Sequence, residues 1–527
     1  GMKRIILTLG VMAFGFFVKA QSQEKVDSTY LKNWMHSNFE DTGVYGVNTQ
    51  KALDFLKEHY RKPQNIVVGV LDSGVEYFHE DLKNNIWVNP KEKVGNRKDD
   101  DGNGFIDDLH GWNFVTDKNG VSYAKDSYEL TRQYAKLDRF WKEKGHLLKN
   151  PQWYQHYLKI KKEYFSKVFK ISQLKDANES KINFLKPRLE ALNKGFEGVT
   201  LTKNLVENFN SDDALAMEGL VIFSELKENE WVGKAMPEVV QYYLNRFEKI
   251  IHYTDEQLEY SFNPNYDPQE GNPKNYGNND IKGLSDDHGT HVAGIIAGEW
   301  GNNKGINGTS GGNYVKIMGV RVVPDGDERD RDVANGIRYA VDNGAKILNM
   351  SFGKSVDDNS KLVIDAIKYA ESKNVLIVKA AGNDNVNVDI TERFPVNLIN
   401  GEQFSKSVIT VGANTRFADK LKAKFSNYGK KSVDVFAPGQ EIYSTVPGGN
   451  KYKFLNGTSM ASPVVAGVAA LIWSHYPKLS ANDIKNILIE TTNKNTQLQD
   501  ISVSGGVVDS YKAVQKAEEL YKKIENK

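Results

Sequence analysis

The sequence contains no cysteine, which excludes disulfide bonds and thiolate metal sites. It also lacks a charge imbalance, because 69 basic and 68 acidic residues leave a formal net charge of +1. A chain of this charge has no bulk electrostatic attraction to nucleic acid or to an anionic membrane surface, so neither is predicted as a partner. The length of 527 residues is enough for about three domains, or for one large domain with insertions.

The sequence lacks a long hydrophobic run as well. Lys3 and Arg4 precede an apolar stretch at residues 5–18, and the small residue Ala20 follows it. The stretch is shorter than the roughly 20 residues that a membrane-spanning helix needs, and the order of its parts is typical of a secretory signal peptide. Residues 1–20 are therefore predicted to be a cleaved signal peptide. The remaining protein is predicted to be exported to the periplasm or the cell exterior, without stable membrane insertion.

Short apolar runs separated by helical patterns predict buried strands. The strands are predicted at 65–76, 315–323, 346–350, 375–381 and 408–412, and helices between them at 332–343 and 360–373. Alternating strands and helices predict an α/β fold with a doubly wound, mostly parallel sheet that is covered on both faces. In such sheets the ligand site lies at the carboxyl ends of the strands.

The segment 118–262 differs from the rest, because it is rich in Lys, Glu and aromatic residues and has few strand patterns. Its apolar residues follow a helical period, for example Tyr154, Leu158, Phe165 and Phe169. We interpret the segment as a large helical insertion, and its lysines as a solvated helix face rather than a polyanion site.

One serine, Ser459, lies in "NGTSMASP", where a turn leads into the apolar run "VVAGVAALIW". A serine at a helix start can cap the helix, or it can act as a nucleophile beside N–H groups that stabilise negative charge. Asp72 in "VLDSGV", His288 in "DDHGTHVAGIIAG" and Asn383 in "VKAAGND" each lie where a strand ends or a helix begins. A serine nucleophile needs an imidazole base, a carboxylate that orients the imidazole, and donors for the oxyanion. All four residue types are present, which favours the catalytic interpretation.

The motifs "LDSGV", "HGTHVAG", "AAGN" and "NGTSMASPVVAG", in this order, resemble those of the subtilase (subtilisin-like) family of serine peptidases. The resemblance implies that Asp72 is the orienting acid, His288 the general base and then acid, Ser459 the nucleophile, and Asn383 an oxyanion donor. It also implies a substrate groove, in which one segment offers backbone hydrogen bonds and another walls the first specificity pocket. These groove residues are Ser351, Phe352 and Gly353, and Ala380, Ala381 and Gly382, respectively.

With this resemblance the chain divides into five predicted parts. They are a signal peptide at 1–20, a short N-terminal segment at 21–62, a subtilase catalytic domain at 63–117 and 263–510, the helical insertion at 118–262, and a C-terminal helix at 511–527. The insertion separates Asp72 from His288, which lie close in sequence in typical family members, and we expect it to form a lid or side wall of the cleft. The short N-terminal segment has too few residues for the pro-domain of many subtilases, so we expect folding without a separate inhibitory domain.

The predicted function is that of a secreted serine endopeptidase, which hydrolyses polypeptide substrates through an acyl-enzyme. Two alternatives stay open: a catalytically silent peptide-binding protein that uses the same groove, and a peptide cyclase or ligase on the same fold. No oligomeric state is predicted. Lys379, directly before "AAGN", is an unusual residue beside the oxyanion strand.

The segment "DDDGNGFIDD" at 99–108 matches the first half of a calcium-binding loop, with oxygen ligands at alternating positions. The candidate ligands are Asp99, Asp101, Asn103, the Phe105 carbonyl, and Asp107 or Asp108. The twelfth position is His110 instead of the bidentate glutamate, so the segment is not a complete EF-hand. Its carboxylates repel one another unless a cation or solvent separates them, and we favour a structural Ca²⁺ over a solvated acidic loop. No metal is predicted for catalysis.

Overall fold

The computed structural model describes residues 27–527, so the predicted signal peptide and the first residues of the N-terminal segment lie outside it. The chain forms two compact units: the first runs to Glu129 and resumes at Pro268–Lys527, and the second is Leu130–Asp267. Residues 118–129 of the predicted insertion thus belong to the first unit. Within the described residues, no helix has both the length and the apolar character needed to cross a membrane. The expected lid role of the insertion stays a prediction.

The strands all lie in the first unit. In chain order they are β1 (Ile66–Asp72), β2 (Gly111–Asn113), β3 (Val315–Arg321), β4 (Ile347–Met350), β5 (Leu376–Ala380), β6 (Leu398–Ile399), β7 (Glu402–Gln403), β8 (Val408–Asn414), β9 (Val435–Pro438), β10 (Ile442–Val446), β11 (Lys451–Leu455), β12 (Asn493–Lys494) and β13 (Gly506–Val507).

The helices occur in both units. In chain order they are α1 (Ser28–Asn33), α2 (Phe39–Thr42), α3 (Thr49–Glu58), α4 (Glu129–Lys144), α5 (Pro151–Gly195), α6 (Lys203–Glu207), α7 (Ala214–Phe223), α8 (Glu228–Trp231), α9 (Met236–Glu256), α10 (Asp287–Ala297), α11 (Asp330–Asp342), α12 (Ser360–Ser372), α13 (Thr458–His475), α14 (Ala481–Glu490) and α15 (Ser510–Glu525). Short 3₁₀ segments lie at Trp34–His36, Lys83–Asn85, Gly145–Leu147, Ala418–Lys420 and Thr496–Leu498, and a π-helical turn at Gln257–Ser261.

The main sheet has the strand order β12-β13-β9-β8-β5-β4-β1-β3-β2. Its neighbours pair in parallel except β12 with β13, and two separate antiparallel pairs are β10 with β11 and β6 with β7. The predicted α/β fold with a mostly parallel sheet is confirmed. The central strands are apolar along their length because helices cover both faces of the sheet.

The two faces of the sheet carry separate hydrophobic cores. Helices α10 and α13 contribute to one core, and α11 and α12 to the other. Every residue of α13 is buried, and its small residues let neighbouring segments approach closely. A Cβ on Gly467 would lie 1.8 Å from Thr309 Oγ1, so only glycine fits there. Each fully buried aliphatic side chain of these cores contributes about 1.5–3 kcal/mol, which fixes the helix that carries Ser459 firmly on the sheet.

The described part of the N-terminal segment packs on the first unit. The indole nitrogen of Trp34 donates to the Glu441 carbonyl at 3.0 Å. Arg61, just before β1, forms ion pairs of 2.8 Å with Glu518 and 3.0 Å with Glu525 on the C-terminal helix α15. These ion pairs connect the segment before β1 to the C-terminal helix within the first unit.

The second unit is helical, as the sequence pattern predicts, and has its own core between α5, α7 and α9. The face of α5 that is buried differs from the predicted one. Phe165 and Phe169 are 48% and 62% exposed, whereas the buried stripe includes Tyr157, Ile160 and Tyr164. Helix α5 carries aromatic residues on more than one face, so the spacing alone does not identify the covered face.

Candidate active site

Asp72 and His288 meet at the carboxyl end of β1. The Asp72 carboxylate is buried, and its Oδ1 accepts a hydrogen bond from the Ser73 backbone N–H at 2.7 Å and faces His288 Nδ1 at 2.7 Å. His288 lies in the first turn of α10, close to the loop after β1. A Cβ on Gly289 would lie 2.0 Å from the Gly74 carbonyl oxygen, so glycine at this position permits the approach. The fold thus brings together two residues separated by 216 positions.

The surroundings of His288 suit a general base. Burial, the largest influence, lowers its pKa, but the charge and the hydrogen bond of Asp72 together outweigh burial, so the pKa is raised above its ordinary value. A carboxylate can only accept a hydrogen bond, so the contact with Asp72 requires a proton on His288 Nδ1. His288 Nε2 is buried and has no hydrogen-bond partner among residues 27–527, so its lone pair is available for a proton.

Ser459 lies in the first turn of α13, and the residues around it are held by hydrogen bonds. Its carbonyl accepts from Ser351 Oγ at 2.8 Å. The N–H and Oγ1 of the preceding Thr458 both donate to Asn383 Oδ1 at 2.8 Å, and Thr458 Oγ1 accepts from the Gly382 N–H at 3.0 Å. The first N–H groups of a helix have no acceptor within the helix, which leaves the Ser459 N–H free to bind a ligand.

Asn383 is oriented by the same contacts. Because its Oδ1 accepts two hydrogen bonds from Thr458, the side-chain amide is fixed with Nδ2 on the other side. A Cβ on Gly457 would lie 3.5 Å from the Ser459 backbone nitrogen and 3.6 Å from Asn383 Nδ2. Both nitrogens therefore border one small space, where two N–H donors can meet a developing oxyanion.

The structure brings Asp72 to His288 and Asn383 to the Ser459 segment, but it forms no hydrogen bond between Ser459 Oγ and His288 Nε2 within the described residues. Proton transfer needs these two atoms at about 2.6–3.2 Å. Catalytic hydrogen bonds are often long in free enzymes and shorten when substrate binds.

The segment Ser351–Gly353 follows β4. Ser351 is buried and its hydroxyl is used by the Ser459 carbonyl, and the Phe352 side chain is 2% exposed within a hydrophobic core. Only the backbone of this segment is left for a ligand, and the backbone role that the resemblance implies stays a prediction.

The other predicted groove segment, Ala380 to Gly382, is held by Asn427. Asn427 Nδ2 donates to the Ala381 carbonyl and its N–H to the Gly382 carbonyl, both at 2.9 Å. Gly382 has φ of +107°, and a Cβ there would lie 2.3 Å from Asn427 Nδ2. The wall next to Asn383 is therefore rigid, and it requires glycine.

A chain of buried hydrogen bonds that the sequence motifs do not indicate lies next to Ser459. Ser462 Oγ donates to Asn349 Oδ1 at 2.7 Å, and Asn349 Nδ2 donates to Ser351 Oγ at 2.9 Å. Ser351 then bonds to the Ser459 carbonyl, so the chain ties β4 to α13. A polar Asn349 within the apolar run "KILNM" was the available signal, because a buried amide needs partners.

His291, three residues after His288, has a structural role. Its Nε2 contacts the carbonyl oxygens of Ile442 at 3.1 Å and Lys453 at 3.0 Å. Burial lowers its pKa to about 3, so the ring is neutral and donates from Nε2.

The acidic loop at 89–108 gathers the predicted calcium ligands only in part. One oxygen each of Asp99 and Asp101 lies within 4.8 Å of the other and of Glu92, a residue that the motif does not include. Asn103 is used within the loop, because its Oδ1 accepts from the Phe105 N–H at 2.9 Å and its Nδ2 donates to Asp108 Oδ2 at 2.7 Å.

The donor set of the acidic loop fits a hard cation. Glu92 Oε1, Asp107 Oδ1 and Asp108 Oδ1 are buried without a hydrogen-bond partner among residues 27–527. Burial, followed by the neighbouring carboxylates of Asp108 and Asp101, raises the pKa of Glu92 to about 8. Several carboxylates in contact, with oxygen as the only ligand atom, match the preference of Ca²⁺.

The amino-acid sequence is similar to those of known proteins. Residues 63–507 match the model of the Subtilase family. "Thermophilic serine proteinase" of Bacillus sp. (strain AK1) is 40% identical over 233 residues, which cover 43% of this chain and 52% of that protein. "Thermitase" of Thermoactinomyces vulgaris is 40% identical over 234 residues, covering 43% of this chain and 75% of thermitase.

A third relative is "Cell wall-associated protease" of Bacillus subtilis (strain 168), which is 38% identical over 225 residues. The matched part covers 42% of this chain and 23% of that protein. The chain therefore spans about half or less of the length of two of these three relatives.

Proposed function

The chain belongs to the subtilase family, and from this premise we propose that it is a secreted serine endopeptidase acting on polypeptides through an acyl-enzyme. Two of the three relatives are named a protease and a serine proteinase, which supports this proposal. The observation that carries it is the 2.7 Å contact between His288 Nδ1 and Asp72 Oδ1, which leaves His288 Nε2 buried and unpartnered among the described residues. A neutral imidazole held in this way can accept a proton from a serine hydroxyl.

In the first half of the reaction, Ser459 Oγ attacks the carbonyl carbon of the scissile peptide bond, and its proton passes to His288 Nε2. Asp72 holds the Nδ1–H and stabilises the imidazolium. The oxyanion of the tetrahedral intermediate accepts hydrogen bonds from Asn383 Nδ2 and the Ser459 N–H. His288 then protonates the leaving amine, the C–N bond breaks, and an ester joins the substrate acyl group to Ser459.

In the second half, water attacks the ester carbonyl and gives its proton to His288 Nε2. The second tetrahedral intermediate uses the same two N–H donors. It collapses by breaking the bond to Ser459 Oγ, which takes the proton back from His288. The products are a carboxylic acid and the free enzyme, so the protons balance over one cycle.

The groove that we propose for the substrate uses backbone more than side chains. Ser351–Gly353 would pair with an extended polypeptide, since the Phe352 side chain is buried in the core. Ala380 to Gly382 would wall the first specificity pocket, where hydrogen bonds from Asn427 hold the backbone in place. A rigid wall beside Asn383 keeps the scissile carbonyl near its oxyanion donors.

We also propose a structural Ca²⁺ at the acidic loop, with no part in the chemical step. Glu92, Asp99, Asp101 and Asp108 would hold it, supported by the clustered carboxylates and the unpartnered buried oxygens. The ion would neutralise like charges and cross-link the loop. Asn103 would act by positioning Asp108, to which its amide donates.

A product assay tests the proposed reaction and separates it from the two alternatives. The wild-type protein and Ser459→Ala are incubated with casein and with a defined peptide, and the products are analysed by mass spectrometry. We expect linear products that have gained one water, and none from Ser459→Ala. Cyclic or ligated products would assign the chain to the ligases, and intact peptide with the wild type would favour a silent binding protein.

A further inference from the structure

A cavity of about 350 Å³ lies beside the strand that leads to Asn383. Lys379 and Ala381 line it from β5 and the residues after it, Thr410 lines it from β8, and loop residues such as Asn397 complete it. Asp72, His288 and Ser459 do not line it. The cavity therefore lies apart from these three residues, although it shares Ala381 with the proposed wall of the first specificity pocket.

Lys379 has surroundings unlike those of the two other buried lysines of the described chain. Lys354 contacts Glu129 at 2.9 Å and Asp330 at 2.8 Å, and Lys485 donates to Gln403 Oε1 at 2.6 Å. Lys379 is only 6% exposed, yet its ammonium group has neither a hydrogen-bond acceptor nor an ion-pair partner among residues 27–527. Its nitrogen is not among the fully enclosed unpartnered atoms, and Lys379 lines the cavity, so the ammonium group is available to a ligand there.

Asp434 attracts the Lys379 ammonium electrostatically, but each of its carboxylate oxygens already accepts a hydrogen bond from another group. Oδ1 accepts from Gln403 Nε2 at 2.7 Å, and Oδ2 accepts from the Thr410 N–H at 2.8 Å. Burial lowers the pKa of Lys379 to about 8, and the attraction of Asp434 opposes this only in part. Most Lys379 side chains are still charged at neutral pH, because that pKa lies above 7.

Two residues that line the cavity, Thr410 and Asn397, also carry a polar atom without a partner among residues 27–527. Thr410 Oγ1 and Asn397 Oδ1 are buried without a hydrogen bond in the described structure, and their residues are 1% and 6% exposed. Arg393, Asp389 and Glu392 are the other charged residues that line the cavity, and the first two have partners. Arg393 pairs with Asp384, and Asp389 accepts from the backbone and hydroxyl of Ser432.

We propose that this cavity binds a carboxylate group. The Lys379 ammonium and the Thr410 hydroxyl donate to its oxygens, and Asn397 Oδ1 accepts from an N–H or O–H of the same ligand. A dianion such as phosphate is disfavoured relative to a single carboxylate, because the carboxylates of Asp389 and Glu392 and the Asn397 oxygen share the cavity. A ligand with one carboxylate and one hydrogen-bond donor would provide partners for Lys379, Thr410 and Asn397.

The carboxylate could come from an acidic side chain of the polypeptide substrate or from a free small molecule. The first source rests on the proposed function, and the strand continues from Lys379 directly into the wall next to Asn383. The second source needs no catalysis. Both present the same chemistry to Lys379, and the two arms of the experiment distinguish them.

The first arm measures binding by isothermal titration calorimetry on Ser459→Ala, which removes turnover. The probe is glutaric acid monoamide, with one carboxylate and one amide, and glutaramide is the uncharged control. We expect saturable binding of the monoamide alone, weakened about tenfold or more by Lys379→Met and reduced by Thr410→Val. Lys346→Met is the matched control, because Lys346 is partly buried and lies outside the cavity.

Thermal unfolding of each variant shows whether it folds, and Thr410→Val serves as the test if Lys379→Met does not. The second arm compares peptide pairs that differ only by Glu or Gln at one position. A preference for Glu of about tenfold in kcat/KM that disappears in Lys379→Met identifies the substrate as the source. Monoamide binding that depends on Lys379, without such a preference, identifies a free carboxylate. Absence of both effects overturns the proposal, whether or not the enzyme cleaves peptides.

Discussion

The Asp72 site and the acidic loop at 89–108 both bury carboxylates, but they handle the negative charge differently. Asp72 Oδ1 meets the Ser73 N–H and the His288 ring, whereas its Oδ2 is buried without a hydrogen-bond partner among residues 27–527. In the loop, Glu92 also leaves one oxygen unpartnered within the described structure, but it lies within 4.8 Å of carboxylate oxygens of Asp99 and Asp101. In the first region a histidine ring faces the carboxylate, whereas in the second we propose that a cation balances the clustered carboxylates. Changes at the first should therefore affect rate, and changes at the second should affect stability.

The largest expected effect follows from removing the general base. His288→Ala should lower kcat by about 10⁶-fold, because the serine hydroxyl is then left without a proton acceptor. The measurement is kcat for a fluorogenic peptide, with circular dichroism to show that the variant is folded. A folded variant that retains more than about a hundredth of the wild-type rate would contradict the assignment of His288.

Asp72→Asn should lower kcat by about 10⁴-fold, because an amide at this position no longer holds the proton on His288 Nδ1. Glu92→Gln is the matched variant for comparison with Asp72→Asn, because it removes a buried carboxylate from the acidic loop. Measured at saturating calcium, Glu92→Gln should keep kcat near that of the wild type. Similar rate losses in the two variants would abolish the distinction between the regions.

Asn383→Ala should lower kcat by about 10²- to 10³-fold with little change in KM, because Nδ2 stabilises charge that appears only in the transition state. Steady-state kinetics on one peptide check this. The matched change is Asn427→Ala, which removes the residue that holds Ala381 and Gly382, and it should also raise KM. An unchanged kcat in Asn383→Ala would remove Asn383 from the oxyanion site.

Removing calcium should act on stability. A calcium concentration of roughly 100 times Kd stabilises a folded protein by about 2.7 kcal/mol, and a chelator should remove this contribution. Differential scanning calorimetry with calcium or EGTA measures the change. Glu92→Gln should reduce the difference, and Glu40→Gln, which removes an exposed carboxylate, should not. Equal unfolding temperatures of the wild type with calcium and with EGTA would argue against the calcium site.

The smallest expected effect is on pH dependence. Catalysis requires neutral His288, and its pKa is raised, so the acid limb of kcat/KM should have its midpoint above the ordinary histidine value near 6.5. In Asp72→Asn, His288 stays buried but loses the attraction of the Asp72 charge, so its pKa should fall. The acid limb of the residual kcat/KM should therefore have its midpoint at lower pH than in the wild type. Since the folded pKa is the higher one, His288 stabilises the fold fully below about pH 6.5. That contribution is lost as pH rises through the folded pKa.

Much of the fold could be predicted because strands such as β1 and β8 are short apolar runs with helical patterns between them. Ser459, His288 and Asn383 could be selected as candidates because each lies in a motif at an element boundary. Glu92 could not, because it precedes the acidic motif and joins the cluster only through folding. The buried Asn349–Ser462 contact is likewise tertiary. The covered face of α5 depends on which neighbours pack against it, and helical spacing does not encode that.

Labelling with a fluorophosphonate tests the central claim most directly, because the probe reacts only with a serine activated by a neighbouring base. We expect one adduct, located on Ser459 by peptide mass mapping, that forms far more slowly in His288→Ala. An adduct on another residue would contradict the account, and so would labelling of Ser459 at the same rate in His288→Ala.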